Sequence, residues 1–185
     1  MEVKILLLLA LFTFAGSLTA ALAIYFWHQG DSDIVFEVKD AHAFQVKHEP
    51  FNREIYCRCL IPLTNRGRQH GMVVNVFCQP MYCGKVMEKL EIVPRLRLCR
   101  EPLRQNGYWE AVIIKKNTTH LTELEVKIRA RIDLSSLVRD VPRLTMLIYY
   151  QTVGRNGMQL RLAEIQFDLT GEKAGEKVGG PCPLR

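Results

Sequence analysis

The fold of this chain is decided by the segment Leu121–Asp133, LTELEVKIRARID. Apolar residues alternate along it with charged ones, and the apolar set is Leu124, Val126, Ile128, Ala130 and Ile132. Such a period of two places the apolar side chains on one face of a β-strand and the charged side chains on the other. One buried face and one solvated face are typical of an antiparallel sheet. We therefore predict an all-β, antiparallel domain.

Other segments of the chain also have strand-forming composition. They are Ile34–Lys39, Ala43–Lys47, Ile55–Thr64, Met72–Cys78, Val86–Val93, Arg95–Cys99, Tyr108–Lys115, Leu144–Val153 and Met158–Leu169. A single short helical turn is predicted, capped by Asp133 or Ser135 and stopped by Pro142.

Turn sequences separate these strands, at Asn65-Arg66-Gly67, Gln105-Asn106-Gly107 and Gly154-Arg155-Asn156-Gly157. Many short strands at this spacing favour a two-sheet sandwich over a small barrel. The stretch GRNGMQL at Gly154–Leu160 echoes GRQHGMVV at Gly67–Val74. We interpret the echo as two similar hairpin turns rather than as a duplicated repeat.

An uncharged segment, Ile5–Trp27, precedes the β domain. At about 1.5 Å rise per residue, a helix of this length crosses a hydrocarbon core of about 30 Å. Ala21-Leu22-Ala23 has the pattern of a signal-cleavage site, but the apolar run continues beyond it, and Tyr25 and Trp27 are typical of a membrane interface. The predicted organisation is an N-terminal anchor over 1–30 with a transmembrane helix at about 5–27, a β-sandwich domain over 31–169 and a disordered tail over 170–185.

The charges that flank the apolar segment bear on membrane orientation. Lys4 and the amino terminus lie on its short side, while Asp31 and Asp33 follow it, and acidic residues contribute little to the positive-inside rule. Lys39 and Lys47 weaken the bias, but the short N-terminal tail still favours an internal N-terminus. We expect a single-pass protein of the cell membrane of a bacterium, held in the lipid bilayer through residues 5–27, with an extracytoplasmic C-terminal domain.

A family resemblance appears at Ile61–Phe77, IPLTNRGRQHGMVVNVF, where an apolar strand ending in Asn-x-Gly leads through a polar turn and a second glycine to another apolar strand. This stretch resembles the start of immunoglobulin- or fibronectin-III-like accessory domains of bacterial membrane or surface proteins. The resemblance implies an antiparallel immunoglobulin-like β-sandwich that acts as a spacer or binding module. The Cys…Trp…Cys spacing of true immunoglobulin domains is missing, because Trp109 follows Cys99, so only the broad class carries over.

The six cysteines are Cys57, Cys59, Cys78, Cys83, Cys99 and Cys182. Cys57 and Cys59 lie two apart on one strand, so they share a face and cannot easily bridge each other. Cys78 and Cys83 flank a Pro-containing turn and form the best candidate disulfide. Two alternatives stay open: buried free thiols, and a thiol-redox or metal-binding protein that uses Cys57, Cys59, Cys78 and Cys83. C-x-C spacing suits structural zinc poorly, and we predict neither a metal nor a cofactor.

The formal net charge is +6 at pH 7, and two stretches supply a candidate basic binding face. Its residues are Arg95, Arg97, Arg100, Arg104, Lys127, Arg129 and Arg131. Such a face would bind lipid headgroups, an anionic wall polymer or an acidic protein. The alternative is a solvated strand face whose charges protect a sheet edge. We expect no nucleic-acid partner for an external domain.

The 185 residues, of which 48% are hydrophobic, leave room for one domain with a core. The sequence has no G-x-S-x-G, phosphate-loop, dinucleotide or H-E-x-x-H motif. We therefore predict that the protein is not an enzyme but a membrane-anchored binding or assembly module of the cell envelope, with a protein or an anionic envelope component as partner. A further alternative is an accessory subunit whose helix packs in a membrane complex through the small residues Gly16, Ser17, Ala20, Ala21 and Ala23.

Overall fold

The structure is a computed structural model that describes residues 2–81, 89–99 and 111–170. Within these ranges the helices and strands are α1 Glu2–Gln29, β1 Ile34–Phe36, β2 His42–Glu49, β3 Glu54–Asn65, β4 Gly71–Pro80, β5 Leu90–Leu98, β6 Val112–Ile114, β7 Thr119–Ala130, α2 Leu134–Asp140, β8 Arg143–Gly154 and β9 Gly157–Asp168. Short 3-10 turns lie at Val38–Asp40 and Pro50–Asn52.

The strands form two sheets, and every strand pair is antiparallel, as the sequence predicts. The first sheet, called sheet A, has the order β1-β3-β7-β5, with β2 also paired to β3. The second sheet, called sheet B, has the order β6-β4-β8-β9. Apolar side chains from both sheets form a single core, and the largest fully buried ones include Ile61, Leu124, Ile148 and Phe167. Each such side chain stabilises the fold by about 1.5–3 kcal/mol relative to an exposed position.

Two prolines lie inside strands, and the sheet tolerates each for a different reason. Pro62 lies in the central strand β3, between the residues that pair with β1 and those that pair with β2. The N–H group that proline lacks therefore removes no hydrogen bond between these strands. The Pro62 carbonyl accepts a hydrogen bond from the Glu37 N–H at 2.7 Å. Pro94 lies in β5, which is an edge strand in sheet A. The strands predicted at Val86–Val93 and Arg95–Cys99 are therefore one continuous strand in the described part of the chain, Leu90–Leu98.

Helix α2 begins and ends where the sequence predicts a helical turn. The Asp133 Oδ2 atom accepts hydrogen bonds from the N–H groups of Ser135 and Ser136 at 3.0 and 3.4 Å. This side chain satisfies two of the backbone donors that every helix N-terminus leaves unpaired. The predicted strand Ile34–Lys39 is shorter than expected, because the chain turns after Phe36. The turn Gln105-Asn106-Gly107 and the tail 171–185 lie outside the described residues.

Candidate functional site

Helix α1 contains the predicted apolar segment, and its side chains do not pack against the domain. The most apolar 18-residue stretch within Val3–Gln29 has a mean hydropathy of 2.3, and none of that stretch is buried against the domain. Its large apolar side chains between Ile5 and Trp27 are 46–88% exposed. The helix is long and apolar enough to cross a membrane, which is also true of signal sequences.

The linker Gly30–Asp33 connects α1 to the domain and is tied to the β8–β9 turn. The Asp31 carboxylate accepts hydrogen bonds from the N–H groups of Ser32 at 2.7 Å, Arg155 at 2.8 Å and Asn156 at 3.0 Å. Partial burial raises the pKa of Asp31, but these backbone donors outweigh it and hold the pKa below its usual value. The carboxylate therefore remains charged and keeps the linker against the turn at neutral pH.

The Asn65 side chain ties the same linker to two further loops. It is fully buried, and its Oδ1 atom accepts from the N–H groups of Asp33 at 3.1 Å and Gly67 at 2.9 Å. Its Nδ2 atom donates to the carbonyls of Gln69 at 2.9 Å and Ile114 at 3.1 Å. All four bonding positions of the amide are thus used. The sequence predicts only a turn at Asn65 and holds no local signal for this role.

Glycines in both turns let the linker approach closely. A Cβ atom on Gly67 would overlap the backbone of Asp31 and Asp33, and one on Gly154 would overlap the side chains of Asp31 and Ser32. Neither position needs a left-handed backbone, so close contact alone requires glycine there.

The arginine that follows each of these glycines reaches the end of α1. Arg68 Nη1 donates to the His28 carbonyl at 3.2 Å, and Arg155 Nη1 donates to the Phe26 carbonyl at 3.0 Å. The Arg155 guanidinium also lies 4.8 Å from the centre of the Phe26 ring. Cationic donors are favourable at a helix C-terminus, where carbonyls lack partners. The echo between the two Gly-Arg sequences therefore has a structural reason: each pair binds the linker and caps the helix. We call this assembly of the linker with turns 65–71 and 154–157 the junction.

The predicted basic residues that the structure describes lie on the outward face of sheet A, except Arg131, which lies just past the end of β7. Carboxylates alternate with them there. Lys127 Nζ lies 2.9 Å from Glu54 Oε2, Arg129 Nη2 lies 2.9 Å from Glu54 Oε1, and Arg97 pairs with Glu123. Arg95 lies opposite Glu125 on the neighbouring strand. Arg100 and Arg104 lie outside the described residues. Carboxylates offset most of the positive charge on this face. A binding role for it stays a prediction.

Electrostatics on this face depend on two nearly buried glutamates. The pKa of Glu54 is lowered to about 2, first by the hydroxyl donor of Tyr56 at 2.5 Å and then by Lys127 and Arg129. Burial raises the pKa of Glu123, but Arg97 and Arg58 outweigh it and the net pKa is lowered. Both carboxylates are therefore ionised at neutral pH and bind β3, β5 and β7 together.

The outward face of sheet B exposes several large apolar side chains, which the sequence pattern does not predict. Its exposed side chains include Phe77, Ile113, Met158, Leu160 and Leu162, each between 46 and 69% exposed. The register brings Leu162 opposite Tyr149, whose ring stacks on Phe77 at a centroid distance of 5.0 Å. A contiguous exposed apolar patch of this kind is typical of a surface that contacts another macromolecule.

The described cysteines are free thiols. Cys57 and Cys59 are buried in the core, Cys78 is half-buried and Cys99 is exposed. Burial raises the pKa of Cys57 to about 12 and that of Cys78 to about 12, and it also raises the pKa of Cys59. Since the thiolate is the reactive and metal-binding form, these three positions disfavour redox or metal chemistry. Among the described residues no three potential ligands converge on a metal position. Cys83, the predicted partner of Cys78, and Cys182 lie outside the described ranges.

Residues 46–169 match the family described as F420-0:gamma-glutamyl ligase, N-terminal Ig-like domain. The chain belongs to this family. The match confirms the immunoglobulin-like domain that the resemblance at Ile61–Phe77 implied. It begins inside β2, so α1, the linker and β1 lie outside it. The prediction that the protein is not an enzyme was wrong, because the matched family is that of F420-0:gamma-glutamyl ligase, an enzyme, of which this chain matches the Ig-like domain alone.

Several solved structures are similar to the chain at low identity. The putative ApaA protein from Bordetella pertussis is 12% identical with a TM-score of 0.39, over 75% of this chain and 94% of that chain. The GAE domain of GGA2p from Saccharomyces cerevisiae is 12% identical with a TM-score of 0.37, over 74% of this chain and 96% of that chain. No curated protein matches the chain.

Proposed function

We propose that this protein is a single-pass membrane protein in which α1 holds the Ig-like domain outside the cytoplasmic membrane, as a binding and assembly module of the envelope. The observation that carries the proposal is the uncovered apolar surface of α1 over Val3–Gln29. Water exposure of such a surface is unfavourable by about 25 cal/mol for each Å². A bilayer covers it entirely, because the helix has the length of a span.

The junction supports a role that depends on position. Arg68 and Arg155 bind the domain to the last turn of α1, while Asp31 and Asn65 hold the linker, which has only four residues between the helix and the first strand. A signal segment destined for removal has no need of such contacts. The junction gives the domain a fixed position at the membrane surface, as an assembly module needs.

A protein partner fits the outward face of sheet B better than an anionic polymer fits sheet A. The face of sheet B exposes Phe77, Leu160 and Leu162, whereas sheet A carries paired charges. In the matched family, an Ig-like domain is the N-terminal domain of a γ-glutamyl ligase. We infer that the partner on this face is a catalytic domain of that class, packed against β4, β8 and β9.

The anchor is tested by intact mass of the membrane-extracted protein together with labelling of whole cells by a membrane-impermeant maleimide, with and without prior reduction. We expect the mass to include residues 1–23 and the exposed Cys99 to be modified before lysis, with Cys99→Ser as the reagent control. A mass that starts after Ala23 would refute the anchor. Modification of Cys99 only after lysis would place the domain in the cytoplasm and refute the orientation.

The partner face is tested with a photo-crosslinking residue at Leu160 and, as a matched control on the opposite sheet, at Arg95. We expect a discrete adduct from position 160 and none from position 95. Leu162→Asp should abolish the adduct, because it places a carboxylate in the apolar patch. An adduct from both positions or from neither would reject the face. A partner other than a ligase-class catalytic domain would reject only the inferred partner class.

A further inference from the structure

A shallow depression of about 590 Å³ lies where the end of α1 meets the domain. It is lined by His28, Gln29, Arg68, Gln69, Lys116 and Asn117. Every one of these side chains carries a nitrogen that can donate a hydrogen bond, and no carboxylate of the described residues lines the depression. Its chemistry therefore suits a small anion.

The carboxylates near this depression are already engaged. Asp31 accepts backbone N–H groups, Asp33 pairs with Arg161 at 2.7 Å, and Glu37 pairs with Arg66. These contacts leave the cations in the lining without an acidic partner in the part of the chain that the structure describes.

Two cations of the lining have donors to spare. Lys116 uses only its backbone N–H, which donates to His70 Nδ1 at 3.0 Å, and its ammonium group pairs with none of the described carboxylates. Arg68 bonds to His28 through Nη1 alone, so Nε and Nη2 remain available among the described contacts. The helix C-terminus would repel an anion, but Arg68 and Arg155 already donate to its carbonyls.

The depression also lies at a defined depth relative to a bilayer. His28 and Gln29 directly follow Trp27, which is 88% exposed, and Tyr25 lies just before it. Aromatic residues at the end of a span lie at the level of lipid headgroups. Residues that follow them immediately therefore lie among the headgroup phosphates.

We propose that this depression binds the phosphate of an anionic phospholipid headgroup, with Lys116 and Arg68 as its cationic donors. The proposal rests on the proposed span of α1. The lipid acyl chains lie along the uncovered apolar side of α1, while the Gln29, Gln69 and Asn117 amides donate to the headgroup. This site is separate from the basic face of sheet A that the sequence analysis singled out.

The test uses the full chain purified in a neutral detergent, with phosphatidylglycerol added back and bound lipid counted by native mass spectrometry. Phosphatidylcholine is the uncharged control lipid, and inorganic phosphate is the soluble competitor. We expect phosphatidylglycerol to be retained in preference to phosphatidylcholine, and millimolar phosphate to leave it bound. Lys116→Gln should weaken retention about five-fold, the effect of one cation near an anionic surface.

Matched controls come from the other end of the domain. Arg131→Gln removes a charge that, like that of Lys116, pairs with none of the described carboxylates, and Lys47→Gln removes one that pairs with Glu49; both lie near the Glu54 end of β3, about 30 Å or more from Asn65. Arg68→Gln should also weaken retention, but it alters a helix contact, so Lys116→Gln decides the result.

Three results would overturn the lipid site: equal retention of the two lipids, equal retention by Lys116→Gln and Lys47→Gln, or displacement of the lipid by free phosphate. A failed span is distinguished separately, because alkaline carbonate would then extract the wild-type chain from membranes. A chain that resists extraction yet shows no lipid preference refutes this site and leaves the anchor intact.

Discussion

Replacing Asn65 by alanine removes the side chain that joins the linker to two loops of the domain. The substitution deletes four hydrogen bonds, to Asp33, Gly67, Gln69 and Ile114. It leaves the backbone groups of these residues in place. The loss of stability therefore arises from backbone N–H and carbonyl groups that must form new hydrogen bonds or remain without a partner.

The size of the effect follows from where those groups lie. The bonds to Gly67 and Ile114 are buried, and a buried polar group without a partner costs about 1–3 kcal/mol. The bonds to Asp33 and Gln69 are half-buried, so water replaces them at a net loss of about 0.5–1.5 kcal/mol each. Because water also enters part of the vacated space, we expect the free energy of unfolding to fall by about 3–5 kcal/mol. For a domain of this size that lowers Tm by about 8–15 °C.

The assay is urea unfolding of the full chain in detergent micelles, followed by far-ultraviolet circular dichroism. Asn52→Ala is the matched control, because its amide makes one exposed bond of 3.2 Å to Glu49, and we expect a change within about 0.5 kcal/mol. Asn65→Asp should be nearly as harmful as the alanine variant at pH 7, since a carboxylate cannot donate to the two carbonyls. A loss below about 1 kcal/mol for Asn65→Ala would refute the reasoning, because it would show that water replaces the amide freely.

Three further predictions concern other parts of the domain. Lowering the pH from 5 to 2 should progressively reduce the free energy of unfolding. The contribution of Glu54 is complete above its unfolded pKa of about 4.3 and is lost as the pH falls through its folded pKa of about 2. The Glu54→Gln variant should therefore lose that part of the acid dependence of the urea midpoint. Gly67→Ala should destabilise the domain by more than about 1 kcal/mol in the same assay, because its methyl group overlaps the linker backbone at Asp31, and an unchanged midpoint would argue against close packing. In the folded protein at pH 7.5, N-ethylmaleimide should modify the exposed Cys99 but not the buried Cys57, as mapped by peptide mass spectrometry; equal labelling of the two would contradict the buried position.

The sheet architecture could be predicted because the alternation of apolar and charged residues in Leu121–Asp133 fits only a β-strand with one buried face. A strand at the centre of sheet A buries Leu124, Val126 and Ile128 on one side and pairs its charges on the other. Burial of that face fixes both the strand and its register. The family resemblance at Ile61–Phe77 predicted strands β3 and β4, but the turn between them is not a hairpin turn, because β3 lies in sheet A and β4 in sheet B.

Strand β9 shows why the apolar patch on sheet B escaped prediction. Met158, Leu160 and Leu162 point outward, whereas Ile165 and Phe167 point into the core. Apolar residues therefore occupy even positions in the first half and odd positions in the second. Periodicity identifies a strand from this pattern, but it cannot tell which half faces the core.

The junction escaped prediction for a different reason. The hydrogen bonds by which Asn65 and Asp31 join the linker to the two turns connect residues that lie 32 to 125 positions apart in the chain. No local pattern encodes such contacts, since each turn sequence is also compatible with an isolated hairpin. The repeated Gly-Arg pair was the available signal, and it became interpretable only once both pairs were seen at the end of one helix.

The junction fixes the distance from the end of α1 at which a partner contacts the domain. Only the four hydrogen-bonded linker residues separate α1 from β1. The domain therefore keeps its orientation relative to α1 and does not move independently of the helix. Strand β3 runs from Asn65 at the junction to Glu54, a distance of about 36 Å at 3.3 Å per residue. With α1 as the proposed membrane span, a partner that contacts Met158, beside the β8–β9 turn, would bind at the lipid surface, whereas one that contacts Glu54 would bind about 36 Å farther from the bilayer.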